Sequence, residues 1–241
     1  MRIYLDIETI PSQDPAVREE IAEGVTPPAN MKKPETIAKW EAEEKPAAVE
    51  EAWRKTAFAG DRGEVVAIAW AVGTGAVEVL SRGLDEAEGD LLAAWFARLG
   101  EQGDDPGGHW RPEWVGHNVQ EFDLRFLFHR AVVHGLRPPL PLPHDARPGS
   151  EQVFDTMTAW AGYRGRIGLD RLCRALGIPT KGAELGGEEI DGSKVWDYVR
   201  AGRIEEVAAY CAADVERVRE VHRRLTFAAA TAPAVPVEAR A

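Results

Sequence analysis

Residues 2–9 read Arg2-Ile3-Tyr4-Leu5-Asp6-Ile7-Glu8-Thr9, and their interpretation decides the fold. Arg2 to Ile7 alternates and carries enough β-branched side chains for a strand. A period of two places the Asp6 and Glu8 carboxylates on one face, roughly 7 Å apart at the backbone. Ile3, Leu5 and Ile7 flank them and are apolar, so the strand is expected to be half or fully buried, where unpaired acids are costly. A hard cation such as Mg2+ or Mn2+, which takes oxygen ligands, would satisfy both. The pair alone is weakly specific. An Asp-x-Glu arises about once by chance in a chain of this length, Asp214-x-Glu216 is a second instance, and a solvated strand end accounts for the spacing as well.

Beyond this strand the chain alternates strand and helix signals. Glu64 to Ala71 is continuously apolar and reads as a buried strand; a turn at Gly73–Gly75 and a return over Val77–Leu80 make it a hairpin. Leu84, Ala87, Leu91, Leu92, Trp95, Phe96 and Leu99 recur at helical spacing and predict a helix over Asp85–Leu99, followed by a surface loop from Gly100 to Gly108. Glu113–Gly116 reads as a short strand. Phe122, Phe126, Leu127 and Val133 predict a helix that begins just after His117-Asn118 and is stopped by Gly135 and the prolines beyond it. Gln152–Phe154 is a further strand, Leu169–Leu176 and Val195–Val199 are short helices, and Ile204–Phe227 is the last long helix.

Residues 1–227 are therefore expected to form one domain, with a polar, Glu/Lys/Ala-rich helical arm inserted over Pro28–Phe58 and a disordered tail over 228–241. The arm reads as a peripheral, solvated helical pair; a clamp over a bound strand or an oligomer contact is the sharper alternative.

Composition bounds what such a chain can do. Of 241 residues, 44% are apolar and eight are tryptophans, enough for a sizeable core. No run of about eighteen apolar residues occurs, and the N-terminus enters a strand directly, so neither membrane span nor signal peptide is expected and the protein is expected to be cytoplasmic. Cys173 and Cys211 lie in helical segments without metal-type spacing and read as reduced, buried thiols. The formal net charge of −11 argues against nucleic-acid binding over a broad surface. A polyanion would have to be held locally, by divalent cations on the acids or by a stripe of arginines (Arg125, Arg130, Arg137, Arg147, Arg164, Arg166, Arg171) that otherwise reads as solvated surface.

Tyr210 and Asp214 are four apart in the last helix and share a face, roughly 5–6 Å between side chains, so that a phenol and a carboxylate can address one water. A core tyrosine beside a surface aspartate gives the same spacing. Asp123 lies in the first turns of its helix, where a capping role is the simpler reading.

The order of these groups carries more than any one of them. Gly116-His117-Asn118, three residues, then Phe122-Asp123-Leu124 resembles the second motif of the DEDD exonuclease superfamily; Asp6-Ile7-Glu8-Thr9 resembles the first and Tyr210-x-x-x-Asp214 the third. The other branch of the superfamily carries histidine five residues before the last aspartate, and Ala209 stands there, so the tyrosine branch is indicated. Leu169-Asp170-Arg171-Leu172 with Leu176-Gly177-Ile178-Pro179, Asp191-Gly192-Ser193 with Trp196, and Ala201-Gly202-Arg203 make the chain look most like predicted 3′–5′ exonucleases related to the proofreading domain of family B DNA polymerases.

The resemblance implies an α/β ribonuclease H-like fold, a five-stranded mixed sheet with helices on both faces and the hairpin strands antiparallel to the first. It implies phosphodiester hydrolysis by two Mg2+ or Mn2+ ions about 3.5–4 Å apart. Asp6, Glu8 and Asp214 would hold the ion that activates water; Asp6, with Asp123 acting largely through waters, would hold the second; Tyr210 would orient or help deprotonate the water. Two divalent ions neutralise four carboxylates and then attract the phosphate that an acidic protein repels.

Thr9, His117, Asn118, Phe122, Arg166 and Lys181 are the candidate substrate contacts. Turn structure is the competing role for His117 and Asn118, and core packing for Phe122. Asp155 is an alternative fourth acid or an N-cap. DNA 3′ ends are the favoured substrate, single strands first; an exoribonuclease of the same superfamily and a catalytically silent binding scaffold are the alternatives.

Overall fold

The computed structural model describes residues 1–102, 111–147, 149–162, 164–180, 192 and 194–228. Among them, strands β1 (Arg2–Ile10), β2 (Glu64–Val72), β3 (Glu78–Ser81), β4 (Glu113–Gly116) and β5 (Val153–Asp155) form one sheet of order β3-β2-β1-β4-β5. β1 pairs antiparallel with β2 and parallel with β4; β2–β3 is antiparallel and β4–β5 parallel. This is the five-stranded mixed sheet of the ribonuclease H-like fold, with the hairpin antiparallel to β1. Gly73, at φ +56°, supplies the left-handed residue of the hairpin turn.

Helices cover both faces. Ile3, Leu5 and Ile7 of β1 and Ile68 and Trp70 of β2 pack under Leu91, Leu92, Trp95 and Leu99 of α4 (Glu88–Gln102) and Leu124 and Leu127 of α5 (Asp123–Val133). On the other face, Ala67, Ala69 and Ala71 lie under Val207, Cys211, Val215 and Val218 of α9 (Ile204–Leu225). Three alanines in a row on that face let the long helix lie close to the sheet. Short helices α6 (Thr156–Ala161), α7 (Leu169–Ala175) and α8 (Val195–Arg200) fill the connections.

Two expectations change. The first concerns α5, which begins at Asp123 rather than just after Asn118. Residues 118–122 form a turn: Asn118 is left-handed at φ +62°, and the Phe122 N–H returns to the Asn118 carbonyl at 3.0 Å. The turn is held by Asp155, whose carboxylate accepts the N–H groups of Asn118 (3.0 Å) and Gln120 (3.3 Å) while capping α6 through those of Met157 (2.9 Å) and Thr158 (3.3 Å). Helical spacing over 119–122 gives way to those hydrogen bonds.

The second concerns the arm. Its helical part starts with α1 (Pro15–Gly24), where Asp14 caps the Ala16 N–H and Pro15 takes the first helical position; α2 (Pro34–Glu43), α3 (Lys45–Arg54) and a 3-10 turn (Lys55–Phe58) follow. It is docked rather than peripheral. Trp40 and Trp53 are buried, the Trp53 indole N–H donates to the Ser12 carbonyl at 2.9 Å, Trp53 meets Trp196 edge-on, and Arg54 pairs with Asp197 at 2.8 Å.

Both cysteines are buried thiols. Among the described residues no helix is long and apolar enough to cross a membrane. Lys181, Asp191, Ser193, most of the 100–108 loop and all of the proposed tail but Ala228 lie outside the described residues.

A buried ion pair ties α4 to α5 and β2. Glu88 and Arg130, with side chains 3% and 8% exposed, meet at 2.6 Å; Glu88 also accepts the Val65 N–H (2.7 Å) and faces His134 Nε2 (2.7 Å). Burial pushes the Glu88 carboxyl up, but the Arg130, Val65 and His134 hydrogen bonds outweigh it and hold the group below its ordinary value. Replacing Arg130 by alanine leaves that carboxylate buried without its cation. Arg130→Ala is expected to cost about 3–5 kcal/mol, measured by urea denaturation; a change under about 1 kcal/mol, the range of surface pairs, would show the pair to be inessential.

Candidate active site

The site forms where β1 outruns its neighbour. β4 pairs with β1 only over Arg2–Tyr4, so the far half of that edge of β1 has no strand partner. The Ile7 N–H there donates to Asp123 Oδ1 at 3.1 Å, which fixes the first residue of α5 beside β1. Gly116 makes this approach feasible. A Cβ at that position would fall 2.5 Å from the Val119 Cβ and 3.0 Å from the Leu5 carbonyl oxygen, closer than packed atoms sit.

On the face covered by α9, Asp6, Glu8 and Asp214 each turn a carboxylate oxygen to one point, all within 4.8 Å of one another. α9 is held in register by Cys211, whose thiol donates to the Asp6 carbonyl at 3.3 Å. Burial, then the neighbouring charges of Asp6 and Glu8, push that thiol well up, so it stays neutral. Asp123 stands outside the three-acid group but within electrostatic reach, since it raises the Asp6 carboxyl.

The electrostatics of this corner are those of acids forced together. Burial, followed by the charges of Asp214, Glu8 and Asp123, drives the Asp6 carboxyl well above its ordinary value. Its Oδ2 is buried with no hydrogen-bond partner. Asp123 is pushed up to about 7, chiefly by burial, against the downward pull of its own N–H and that of Ile7. Tyr210 is driven far up by burial and then by Glu8, Asp214 and Asp6, so its phenol keeps its proton. Hard oxygen donors converging on one point and a buried oxygen without a donor are the properties of a divalent-cation site.

The other candidates sort by what holds them. Thr9 Oγ1 donates to the Ala57 carbonyl at 2.7 Å, tying the arm to β1. His117 spans Thr156 Oγ1 (3.0 Å) and the Ile167 carbonyl (2.8 Å), to which Nε2 donates, and burial lowers its pKa. Both it and Asn118 shape the turn ahead of Asp123. Asp155 serves as cap and turn anchor, as its four N–H donors show. Phe122 packs on Phe126 (5.6 Å between ring centres) and also meets Phe58 (6.4 Å). Arg166 is exposed and, with Gln120, Asp155, Thr158 and Arg164, lines a cavity of about 720 Å3 that none of the five catalytic candidates borders.

Two residues were not anticipated. Phe58 is 65% exposed at the end of the arm, and an aromatic that closes a polar helical segment carries no sequence signal of its own. Arg217 pairs with Asp214; its spacing of three along α9 was readable, but many i,i+3 pairs are plain surface pairs.

Residues 63–230 match a family described as "Predicted 3′-5′ exonuclease related to the exonuclease domain of PolB". The match covers well over half of the chain, and the protein belongs to that family. It begins after β1, so Asp6 and Glu8 precede the matched segment and join it only through the fold. Among solved structures the chain is similar to the family B DNA polymerase from the hyperthermophilic archaeon Pyrobaculum calidifontis, with a TM-score of 0.50, 19% identity and 69% of this chain covered. It spans 22% of the length of that polymerase, and the likeness supports the fold. No curated protein matches the sequence.

The raised carboxyls set a pH dependence. Folded Asp123 holds a proton between 3.8 and about 7 that the unfolded chain releases, so its contribution to stability falls as pH rises through that window. His117 and His222, lowered by burial, contribute with the opposite sign below 6.5. Comparison with Asp123→Asn isolates the first effect: in metal-free protein, unfolding free energy should fall more steeply with rising pH in the wild type than in the variant. Parallel curves would remove the case for a raised Asp123.

Proposed function

We propose that this chain is a divalent-metal-dependent 3′–5′ exonuclease that hydrolyses DNA 3′ ends, single strands preferred, with Asp6, Glu8, Asp123, Tyr210 and Asp214 as its working residues. The observation that carries the reading is the convergence of Asp6, Glu8 and Asp214, from opposite ends of the chain, within 4.8 Å. Residues 1–227 are taken as one exonuclease domain that includes the docked arm.

Asp6, Glu8 and Asp214 would hold one Mg2+ or Mn2+ ion, and Asp6 with Asp123 a second. Such ions supply charge stabilisation for the attacking and departing oxygens and lower the pKa of a bound water. The chain's own residues do the rest. In the hydrolysis, water adds its hydroxyl to the terminal phosphorus, the P–O3′ bond breaks and the proton ends on the released 3′ oxygen. The neutral Tyr210 phenol, one helical turn from Asp214, suits orientation of that water better than removal of its proton. Asp123, held by the Ile7 N–H, keeps the start of α5 beside the acids.

Phe122 precedes Asp123 and meets Phe58, and the two rings would give the site an aromatic wall. A splayed terminal base stacks on such rings without regard to sequence, which favours single strands over paired ends. Arg164 and Arg166 offer positive charge for phosphates further along the strand, in a protein of net charge −11.

The test is release of mononucleotides from labelled single-stranded DNA, duplex DNA and RNA with Mg2+ or Mn2+. Asp6→Ala should reduce the rate on DNA by at least about 10²–10³-fold, the loss seen on removing a preorganised electrostatic group. Mn2+ should raise the melting temperature of the wild type and not of Asp6→Ala. Inertness on every substrate with both metals would sink the proposal, and preference for RNA would reassign the substrate. Phe58→Ala should weaken single-strand binding by about 1–3 kcal/mol, read as a raised KM with kcat little changed; an unaltered KM would remove Phe58 from the substrate path.

A further inference from the structure

Arg217 lies three residues beyond Asp214 on α9, and its Nη1 contacts Asp214 Oδ1. The two side chains are only 11% and 9% exposed. Neighbouring i,i+3 pairs of the same helix differ: Glu216, opposite Arg219, is 56% exposed, and Glu220, opposite Arg223, is 33% exposed. In both of those pairs the acid is far more open to solvent than Asp214. The Arg217 contact falls instead on a carboxylate that also turns an oxygen into the three-acid cluster. A permanent cation is therefore built onto one of the groups that would bind divalent ions, in a partly buried corner where charges are weakly screened.

Such a cation has two physical effects. It supplies counter-charge to acids that the fold forces together, keeping Asp214 turned towards β1 in the substrate-free protein. It also repels an incoming divalent ion and competes with it for Asp214. We propose that Arg217 is a positioning residue that holds the Asp214 carboxylate in place and weakens divalent-metal binding to the substrate-free site. The inference rests on the exonuclease reading, in which the acid cluster is a metal site.

The experiment titrates Mn2+ into the purified, nucleic-acid-free protein and follows the free ion by electron paramagnetic resonance, with circular dichroism to verify folding. Arg217→Gln removes the charge and keeps a hydrogen-bond donor; Arg217→Met keeps the aliphatic stem and serves where the glutamine variant does not fold. Either neutral variant should bind Mn2+ at least about tenfold more tightly than the wild type, a conservative measure of unit-charge repulsion in a partly buried site. Arg217→Lys, which retains the charge, should stay near the wild-type affinity. Neutral variants that match the wild type within about twofold would overturn the inference and leave the exonuclease reading standing. A wild type that binds no Mn2+ would overturn both.

Discussion

Like charges held close by apolar packing are the constraint on which this structure depends. Asp6, Glu8 and Asp214 meet, with Asp123 within electrostatic reach, because β1 is clamped between α4 and α5 on one face and α9 on the other, through side chains that exclude water. Two carboxylates about 4 Å apart in a partly buried setting repel by about 4 kcal/mol, and raised pKa values relieve part of that. Each fully buried valine or leucine contributes about 1.5–3 kcal/mol in the opposite sense, and this core holds many. Packing wins, and the site retains an unmet demand for positive charge.

That demand links the local features. The short β4 leaves an open N–H on β1 for Asp123. Gly116 allows the close approach, and Asp155 collects four N–H groups to set the turn that delivers Asp123. Arg217 meets part of the deficit from within the chain, and the remainder is what a hard cation would supply. The arm joins the same region through Thr9 and Ala57, placing Phe58 beside Phe122.

Much of this was legible in the order of residues. Every strand among the described residues is legible to within three residues at each end, because alternation and continuous apolar runs report burial directly. Asp155 as a cap and the buried thiols followed from local rules. The start of α5 is not legible from spacing, because Phe122 and Phe126 keep helical spacing across a turn whose hydrogen bonds come from Asp155, some 35 residues away. The arm's polar composition reads as solvated, although Trp40 and Trp53 anchor it.

The sequence by itself determined the alternation of elements, the shared face of Asp6 and Glu8, and the shared helix face of Tyr210 and Asp214, since each depends on periodicity within one element. Only the tertiary structure decided that acids more than two hundred positions apart share a point within 4.8 Å, that Arg217 pairs with one of them away from solvent, and that Phe58 meets Phe122. Contacts between distant segments follow from how faces pack, and no local spacing encodes the packing partner.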